Sequence, residues 1–387
     1  MSLSDDFNDD ADAPPPPVEK GARVVQDEHG NIRRYFDGVL HCDDGPAVEK
    51  APPKIKKPDG TFEVTGVGAK EWYRHGQRHR DDGPAMLRSG GGEEWYQNGK
   101  KHRIGAPAVT KGGAQEWYED GQLHRDGGLP AYENKNGRKE WYVRGERHRD
   151  GDLPAVELPD GTRKWYDHNR LHRDNGPALI DQDGKKEWHV RGVLHRDGGP
   201  AIEYPATGSA PARGDWYQNG ALHRDDGPAE TTADGKQRWM KNGKAHRVDG
   251  PAIIYPNGKQ EWMFDGRPHR DGGPALIKPG GTADKPTVAY TWFNHGKKHR
   301  IGGPAVMKAE GGQEWCEYGR FHREDGPAVI KPDGVQQWFR QGKAWPEGPA
   351  YVAAKALQKQ LETVTVVQRT ITALKPLKFA QRPKLAP

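Results

Sequence analysis

The sequence predicts an all-β repeat array, and two observations support this prediction. One is a tryptophan-centred segment, clearest at residues 261–275, whose copies recur from residue 34 to residue 350. The other is composition, since 51 Gly and 32 Pro supply turns and no Gly- and Pro-free stretch of the copies shows a helical apolar period. A fixed period of about 20 to 50 residues is typical of arrays whose units bury their apolar faces against one another. We expect an elongated, solenoid-like stack of about thirteen β-hairpin units with a short C-terminal helical or mixed extension.

A ladder of tryptophans sets the register of the units, most of them about 22 to 24 residues apart. A first copy at residues 34–41 carries Arg34 in place of tryptophan, and each unit ends in a Pro-Ala pair, the last being Pro349-Ala350. A tryptophan buries on the order of 200 Å², too little to stabilise one unit alone. The predicted ladder is Trp72, Trp95, Trp117, Trp141, Trp165, Trp188, Trp216, Trp239, Trp262, Trp292, Trp315 and Trp338.

Each unit contains two turn signals. A glycine lies four residues after most tryptophans and is often preceded by Asn or Asp, as in Asn98-Gly99, which predicts a two-residue hairpin. Asn169 replaces this glycine in one unit, and because Asn tolerates positive φ, it predicts a left-handed backbone there. A second turn, such as Asn257-Gly258, precedes the next tryptophan. We therefore expect two short strands and two tight turns per unit.

Composition divides the chain into three regions. Residues 1–20 are acidic, Pro-rich and almost without apolar side chains, which predicts a disordered tail that acts as a tether or as a solubilising terminus. Residues 21–350 are the array of thirteen units. Residues 351–387 are a cap and a basic tail. Within them, residues 353–362 have helical spacing, and residues 363–372 are β-branched and ambiguous.

Three insertions interrupt the period, at about residues 49–66, 204–214 and 279–289. Each falls between a Pro-Ala pair and the next tryptophan, which predicts that all three lie on one edge of the array. They are either recognition elements or tolerated surface loops. The last unit carries Trp345 where histidine is expected, as is typical of a terminal repeat that closes a stack.

A His-Arg pair follows every tryptophan of the ladder except Trp338 by seven residues, and we expect it to be structural. The predicted ladder includes His79, His102, His124, His148, His172 and His195. A metal site needs several ligands at one point, whereas neighbouring units would hold single imidazoles about 10 Å apart, so no metal or cofactor is expected. We expect the arginine to pair with a nearby acid between units and the histidine to bond the backbone of the turn leading to Gly-Pro-Ala.

No constellation for nucleophilic catalysis is evident, and an enzyme is not expected. Cys42 and Cys316 occupy repeat positions rather than unique, motif-bearing places. Two cysteines give no disulfide framework and suit a reducing compartment. The sequence shows neither a secretory signal nor an apolar run long enough for a membrane span. These observations predict a cytoplasmic protein.

The residue after each tryptophan forms the candidate partner-binding column. Adjacent strand residues face opposite ways, so an inward tryptophan predicts an outward neighbour and an exposed aromatic stripe beside Lys and Arg. The candidates are Tyr73, Tyr96, Tyr118, Tyr142, Tyr166 and Tyr217. A protein partner is the interpretation we favour. A second packing layer and single-stranded nucleic acid stacking on the rings are the alternatives.

The unit, as at residues 92–103 and 235–247, resembles a MORN-repeat variant, a hairpin repeat of this period with an aromatic-aromatic-x-x-Gly core. The resemblance covers residues 34–350. The His-Arg-x-x-Gly-Pro-Ala segment departs from the usual unit and resembles repeat proteins of large phages and other large DNA viruses. The resemblance implies a curved β array with scaffold or interaction roles. MORN repeats proper are linked to membranes, but this chain shows no apolar edge or anchor.

These observations lead to one functional expectation and one alternative. We expect a non-enzymatic scaffold that binds a partner protein, as a structural or assembly component of a phage or virus particle or of a bacterial complex. The alternative is an antitoxin or immunity protein that binds and blocks a toxin, since bacterial MORN-variant proteins are also similar to the antitoxin half of toxin pairs. The oligomeric state is left open.

Overall fold

The computed structural model describes residues 20–208, 210–282 and 284–373. The chain divides into an N-terminal half, residues 1–212, and a C-terminal half, residues 213–387. Short antiparallel strands fill both halves, and one helix follows them. The predicted all-β repeat array with a C-terminal helical extension is therefore confirmed. The acidic tail, apart from its last residue Lys20, lies outside the described residues, and so does the basic tail.

An antiparallel meander forms the main sheet of the N-terminal half. Each strand pairs with the strands on either side of it along the sheet, as Glu71 does with Val48 and Met86. The strands are Ala22–Gln26, Ile32–Phe36, Val48–Glu49, Lys70–Glu71, Met86–Leu87, Glu93–Glu94, Val109–Lys111, Ala114–Glu116, Tyr132–Asn134, Lys139–Glu140, Val156–Glu157, Arg163–Lys164, Leu179–Ile180, Lys186–Glu187 and Ile202–Tyr204.

The C-terminal half repeats the same meander. The first strand of this half is Arg213–Asp215, and the sheet of this half begins with the strand after it. The strands that follow are Glu230–Thr231, Gln237–Arg238, Ile253–Ile254, Gln260–Glu261, Leu276–Gly281, Pro286–Thr291, Val306–Met307, Gln313–Glu314, Val329–Ile330 and Gln336–Gln337.

A row of two-stranded hairpins accompanies the main sheets, one hairpin per unit. In the first unit Val39–Leu40 pairs with the end of Ile32–Phe36. The later hairpins are Tyr73–Arg74 with Gln77–Arg78, Tyr96–Gln97 with Lys100–Lys101, Tyr118–Glu119 with Gln122–Leu123, Tyr142–Val143 with Glu146–Arg147, Tyr166–Asp167 with Arg170–Leu171, His189–Val190 with Val193–Leu194, Tyr217–Gln218 with Ala221–Leu222, Met240–Lys241 with Lys244–Ala245, Met263–Phe264 with Arg267–Pro268, Phe293–Asn294 with Lys297–Lys298, Cys316–Glu317 with Arg320–Phe321, and Phe339–Arg340 with Lys343–Ala344.

A unit thus has four short strands, and the prediction of two was wrong. The tryptophan marks the point at which the chain leaves the main sheet. Trp95 N donates to Ala108 O at 2.7 Å, while His102 N donates to Trp95 O at 3.0 Å. These bonds join Trp95 to two residues that follow the hairpin in the chain, His102 and Ala108. The strand that was expected to run through the tryptophan is therefore divided into a main-sheet strand before it and a hairpin strand after it.

The hairpin turns have the predicted left-handed geometry. Asn98 and Gly99 have φ of 48° and 77°, and both values are positive, as a type I′ turn requires. Asn169 has φ of 65° and follows His168 at 45°. The prediction for Asn169 is therefore confirmed, since this residue adopts the conformation of the glycines that it replaces.

The alanine of the Pro-Ala pair forms the centre of each unit. Twelve such alanines have 0 or 1 % of their surface exposed. They are Ala47, Ala85, Ala108, Ala131, Ala155, Ala178, Ala201, Ala229, Ala252, Ala275, Ala305 and Ala328. A larger side chain has no space at these positions, which explains why the repeat keeps a methyl group there.

All three insertions fall on the connection from the strand after Pro-Ala to the strand before tryptophan. The first contains an exposed hairpin, Lys54–Lys56 with Phe62–Val64, and the second a single bridge between Thr207 and Ala210. The third lengthens the strands Leu276–Gly281 and Pro286–Thr291 to six residues each. All three insertions thus take the same place in their units, and their common edge stays a prediction.

The C-terminal helix spans Gly348–Ala373. It contains the predicted helical segment and the ambiguous residues 363–372. Pro349 and Ala350 lie in this helix, so the last Pro-Ala pair is not followed by a main-sheet strand as the earlier pairs are. No helix in the described part of the chain has the length and apolar character needed to cross a membrane.

Candidate partner-binding surface

The arginine of each His-Arg pair lies over the tryptophan ring of its own unit. Arg149 is typical, since its Cζ lies 3.7 Å from the Trp141 ring centroid and its Nη1 donates to Pro154 O at 3.1 Å. Guanidinium groups stack favourably on the electron-rich face of an indole. The stacked pairs are Arg80 and Trp72, Arg103 and Trp95, Arg125 and Trp117, Arg149 and Trp141, Arg173 and Trp165, Arg196 and Trp188, Arg224 and Trp216, Arg247 and Trp239, Arg270 and Trp262, Arg300 and Trp292, and Arg323 and Trp315.

This stack explains the glycine of the Gly-Pro-Ala motif. A Cβ atom on Gly326 would lie 2.6 Å from the Cζ of Arg323, and one on Gly227 would lie 2.8 Å from that of Arg224. The glycine therefore leaves space for the guanidinium. The prediction that these arginines pair with acids between units holds for few of them, because stacking on the unit's own tryptophan places the guanidinium inside its own unit.

The first unit replaces both partners of the stack. Arg34 occupies the tryptophan position and Cys42 the arginine position. Arg34 Nη1 donates to Pro46 O at 2.7 Å, which is the bond that the missing arginine would make, and it pairs with Glu49 at 2.7 Å. The two substitutions thus compensate for each other.

The histidine provides the recurring side-chain link between neighbouring units, whereas the arginine does so in few of them. His79 Nδ1 accepts a hydrogen bond at 3.1 Å from the backbone N of Asn98, in the hairpin turn of the next unit. Its Nε2 lies 2.8 Å from Asp81 Oδ1. The predicted backbone bond therefore exists but reaches the following hairpin rather than the turn before Gly-Pro-Ala. The same Nδ1 contact recurs at His41, His102, His124, His172, His223, His246, His269, His299 and His322.

The tyrosine column is half-buried and is less exposed than the outward stripe that the sequence predicts, and its part in partner binding stays a prediction. The six candidates Tyr73, Tyr96, Tyr118, Tyr142, Tyr166 and Tyr217 share this intermediate burial. Three hydroxyls donate to a buried glutamate two residues earlier, as Tyr96 does to Glu94 at 2.7 Å. Neighbouring cations cover the rings, and Arg147 lies 5.3 Å from the Tyr142 centroid.

The glutamate before the tryptophan was not recognised in the sequence, although it recurs in most units. Glu94 and Glu140 are almost fully buried on the main sheet. Burial alone would raise the pKa of Glu140, but the hydrogen bonds from Tyr142, Arg147 and Arg138 outweigh it and lower the pKa. Conversely, burial and the Glu71 carboxylate raise the pKa of Tyr73 to about 12. The column is therefore an ordered polar layer between the hairpins and the main sheet.

A row of exposed basic side chains runs along the hairpins of the C-terminal half. We call Lys244, Arg267, Lys297, Arg320 and Lys343 the basic row, and each directly follows a turn glycine. Within the described residues, none of the five forms an ion pair with a carboxylate. Sequence reasoning missed this row because it followed the aromatic residues rather than the position after the turn.

Backbone contacts hold the basic row in register. The turn of each hairpin packs on the previous hairpin, since Gly266 N donates to Ala245 O at 2.9 Å and Gly319 N donates to Lys298 O at 2.8 Å. A Cβ on Gly342 would lie 3.5 Å from the Cβ of Arg320. Consecutive cations therefore belong to hairpins in direct contact.

Acidic residues project from the loops that carry the histidines. Asp126, Asp150 and Asp271 are 93 to 99 % exposed at their side chains. Between successive loops lie open grooves floored by the tryptophan stacks, including one of about 420 Å³ beside Trp262 and one of about 450 Å³ beside Trp292. A similar groove and an exposed acidic loop thus recur in several units.

Burial makes Cys316 a poor nucleophile. Cys316 is buried, and its desolvation raises the pKa of the thiol to about 11, so the thiolate is scarce at neutral pH. Cys42 lies in the first unit, in the arginine position beside Gly45.

Comparison with protein-family models gives no match for this chain, and comparison with curated proteins gives none either. The resemblance to MORN-repeat variants stays a prediction.

Proposed function

We propose that this protein is a non-enzymatic repeat scaffold that binds a partner protein through the hairpins of residues 213–373. The observation that carries the proposal is the basic row, with one exposed cation on each of five successive hairpins. The array repeats one surface, whereas catalysis requires one asymmetric group of residues.

The expected partner surface is acidic and repetitive. A single exposed ion pair contributes about 0 to 1 kcal/mol. Five contacts made together gain from the effective concentration that the rigid array imposes. The favoured partner is therefore an extended acidic protein surface or an assembly with its own repeats, because only such a partner engages all five positions.

Exposed aromatic side chains on the same hairpins favour protein over a simple polyanion. Tyr318 and Phe264 are 56 and 39 % exposed, and both lie on hairpins of the basic row. Tyr, Phe and Arg are enriched at protein interfaces. Rings flanked by cations supply apolar contact area that a phosphate chain does not use.

The experiment compares three forms of the full-length protein by quantitative affinity capture and mass spectrometry. One variant changes all five residues of the basic row to Gln. The control changes Lys100 and Arg170, which hold the same position in the N-terminal half, to Gln. We expect one acidic protein to be recovered stoichiometrically with the native and control forms and at least tenfold less with the basic-row variant. Equal recovery with all three forms would contradict the proposal.

The identity of that protein decides between the two roles expected from the sequence. Recovery in many copies with a purified particle or a bacterial complex supports the assembly role. A single stoichiometric toxin, inactive while bound, supports the antitoxin role instead.

A further inference from the structure

One hairpin turn carries a cluster that no other described unit reproduces. His148 of one unit and Asp167 with His168 on the turn of the next place their ligand atoms within 4.8 Å of one another. His148 Nδ1 lies 3.3 Å from Asp167 Oδ1, and His168 Nδ1 lies 2.6 Å from the same oxygen. The histidine rings lie 4.6 Å apart between centroids. Two imidazoles and one carboxylate therefore converge on one point.

The unit is exceptional because its histidine lacks the usual bond between units. Elsewhere, as at His79, the Nδ1 atom accepts a hydrogen bond from the backbone of the next turn. His148 Nδ1 is buried and accepts no hydrogen bond from any described residue. Its nitrogen is directed at the carboxylate of Asp167 instead.

A second carboxylate fixes the orientation of His148. Its Nε2 lies 3.0 Å from Asp150 Oδ1, and in the neutral ring that donates its Nε2 proton to this carboxylate, Nδ1 carries a lone pair. Nδ1 and the Asp167 oxygen are then two acceptors that face each other. A carboxylate on the far nitrogen of a ligating histidine is a common feature of metal sites, where it orients the ring and raises its basicity.

We propose that His148 Nδ1, Asp167 Oδ1 and His168 Nδ1 bind a divalent transition-metal ion of the Zn²⁺ class. Imidazole and carboxylate ligands suit Zn²⁺, with bond lengths of about 2.0 to 2.2 Å. A tetrahedral ion at these distances separates its ligand atoms by about 3.3 Å, and the nitrogen of His148 and the oxygen of Asp167 already have this separation. The shorter contact to His168 opens when the ion replaces the hydrogen bond, and water completes the coordination.

Two other units serve as internal controls, because they also pair a turn histidine with a ladder histidine. His75 stacks on His41 and His295 on His269. The residue before the turn histidine is Arg74 in one and Asn294 in the other, so both clusters lack the carboxylate of Asp167. Sequence reasoning rejected metal binding by considering the ladder alone and overlooked this combination on the turn.

The test is calorimetric titration of the full-length protein with ZnCl₂, supported by the visible absorption of the Co²⁺ form. The variants are Asp167→Asn and His168→Asn, the second of which installs the residue found at this turn position in three other units, as at Asn98. The matched control is His295→Asn. We expect one saturable site in the native and control proteins and at least tenfold weaker binding in both site variants, with unchanged circular dichroism.

A gain-of-site variant tests the same geometry. Asn294→Asp supplies the missing carboxylate beside His269 and His295 and is expected to add a second, weaker Zn²⁺ site. The proposal is overturned if the native protein shows no saturable binding, which would mean that His148 only holds a proton against Asp167. It is equally overturned if the His168→Asn variant binds Zn²⁺ as tightly as the native protein and the His295→Asn control do.

Discussion

Asn169 combines the backbone role of a turn glycine with a bond that glycine lacks. Its φ is 65°, and its Oδ1 accepts a hydrogen bond from Arg147 N at 2.9 Å, in the previous hairpin. The left-handed conformation is costly for an L-residue with a side chain, and the side-chain bond offsets part of that cost.

Substitutions at Asn169 separate these two effects. Asn169→Gly removes the strain and the bond together, and each amounts to about 1 kcal/mol, so the stability should change by less than about 1 kcal/mol. Asn169→Val loses the bond and adds a β-branched clash, which should cost at least about 2 kcal/mol. Denaturant unfolding of both variants checks this prediction, and equal losses would contradict it.

Glu140 should make the protein acid-sensitive. Because the folded-state pKa lies below the ordinary 4.5, its contribution to stability is complete above that value and is lost as the pH falls through the folded pKa. Glu140→Gln should cost about 1 to 3 kcal/mol at pH 7 and flatten the loss of stability below pH 4.5.

The exposed carboxylate of Asp126 provides the control. Asp126→Asn should change the stability little at any pH, because an exposed ion pair contributes about 0 to 1 kcal/mol. Urea unfolding at a series of pH values measures both variants. A Glu140→Gln protein whose stability falls with acid as steeply as that of the native protein would contradict the assigned role.

The Arg-Trp stack is also open to a direct test. Trp188→Ala removes the ring beneath Arg196, whose Cζ lies 3.8 Å from the ring centroid. The cavity and the lost contacts should cost about 3 to 5 kcal/mol, whereas Arg196→Ala should cost about 1 to 2 kcal/mol, because the cation remains partly solvated. In the double variant the losses should not add, and strict additivity would show that the stack contributes nothing.

At the scale of the element, the sequence allowed the turns to be predicted better than the contacts. The Asn-Gly and Asn169 positions indicated the turn conformation, because local sterics decide φ. The partners of the His-Arg pair were not predictable, since a repeat pattern shows which residues recur and not whether they contact their own unit or the next. The same limit applies to the exposed basic row.

The C-terminal helix was only partly predictable, because β-branched residues such as those at 363–372 have low helix propensity. Its described side chains from Ala353 to Val366 are exposed, while Tyr351 packs on Trp345 with centroids 5.3 Å apart.

Truncation after Val352 should therefore leave the unfolding midpoint of the array within about 3 °C of the native value. Thermal unfolding monitored by tryptophan fluorescence measures this effect, and loss of helical circular dichroism confirms the truncation. A drop of 10 °C or more would show that the helix stabilises the array.

At the scale of the whole molecule, the central claim is that the chain is an array of equivalent units. The same bonds recur in both halves, from the Trp-Ala backbone pair to the histidine contact with the next turn. In such an array, stability is a sum of unit terms and nearest-neighbour terms. Removal of one complete unit in phase should therefore lower the free energy of unfolding only by the term of that unit and by its nearest-neighbour terms.

Deletion of residues 239–261 tests this claim most directly, because it joins Arg238 to Trp262 and restores the register of the repeat. An out-of-phase deletion of residues 251–261 removes one Pro-Ala pair and the main-sheet hairpin after it, and is the control. We predict that the in-phase variant unfolds in one cooperative transition with native-like circular dichroism and reduced stability, while the control loses its structure around the junction. Equal disruption by the two deletions, measured by circular dichroism and urea unfolding, would contradict the repeat architecture.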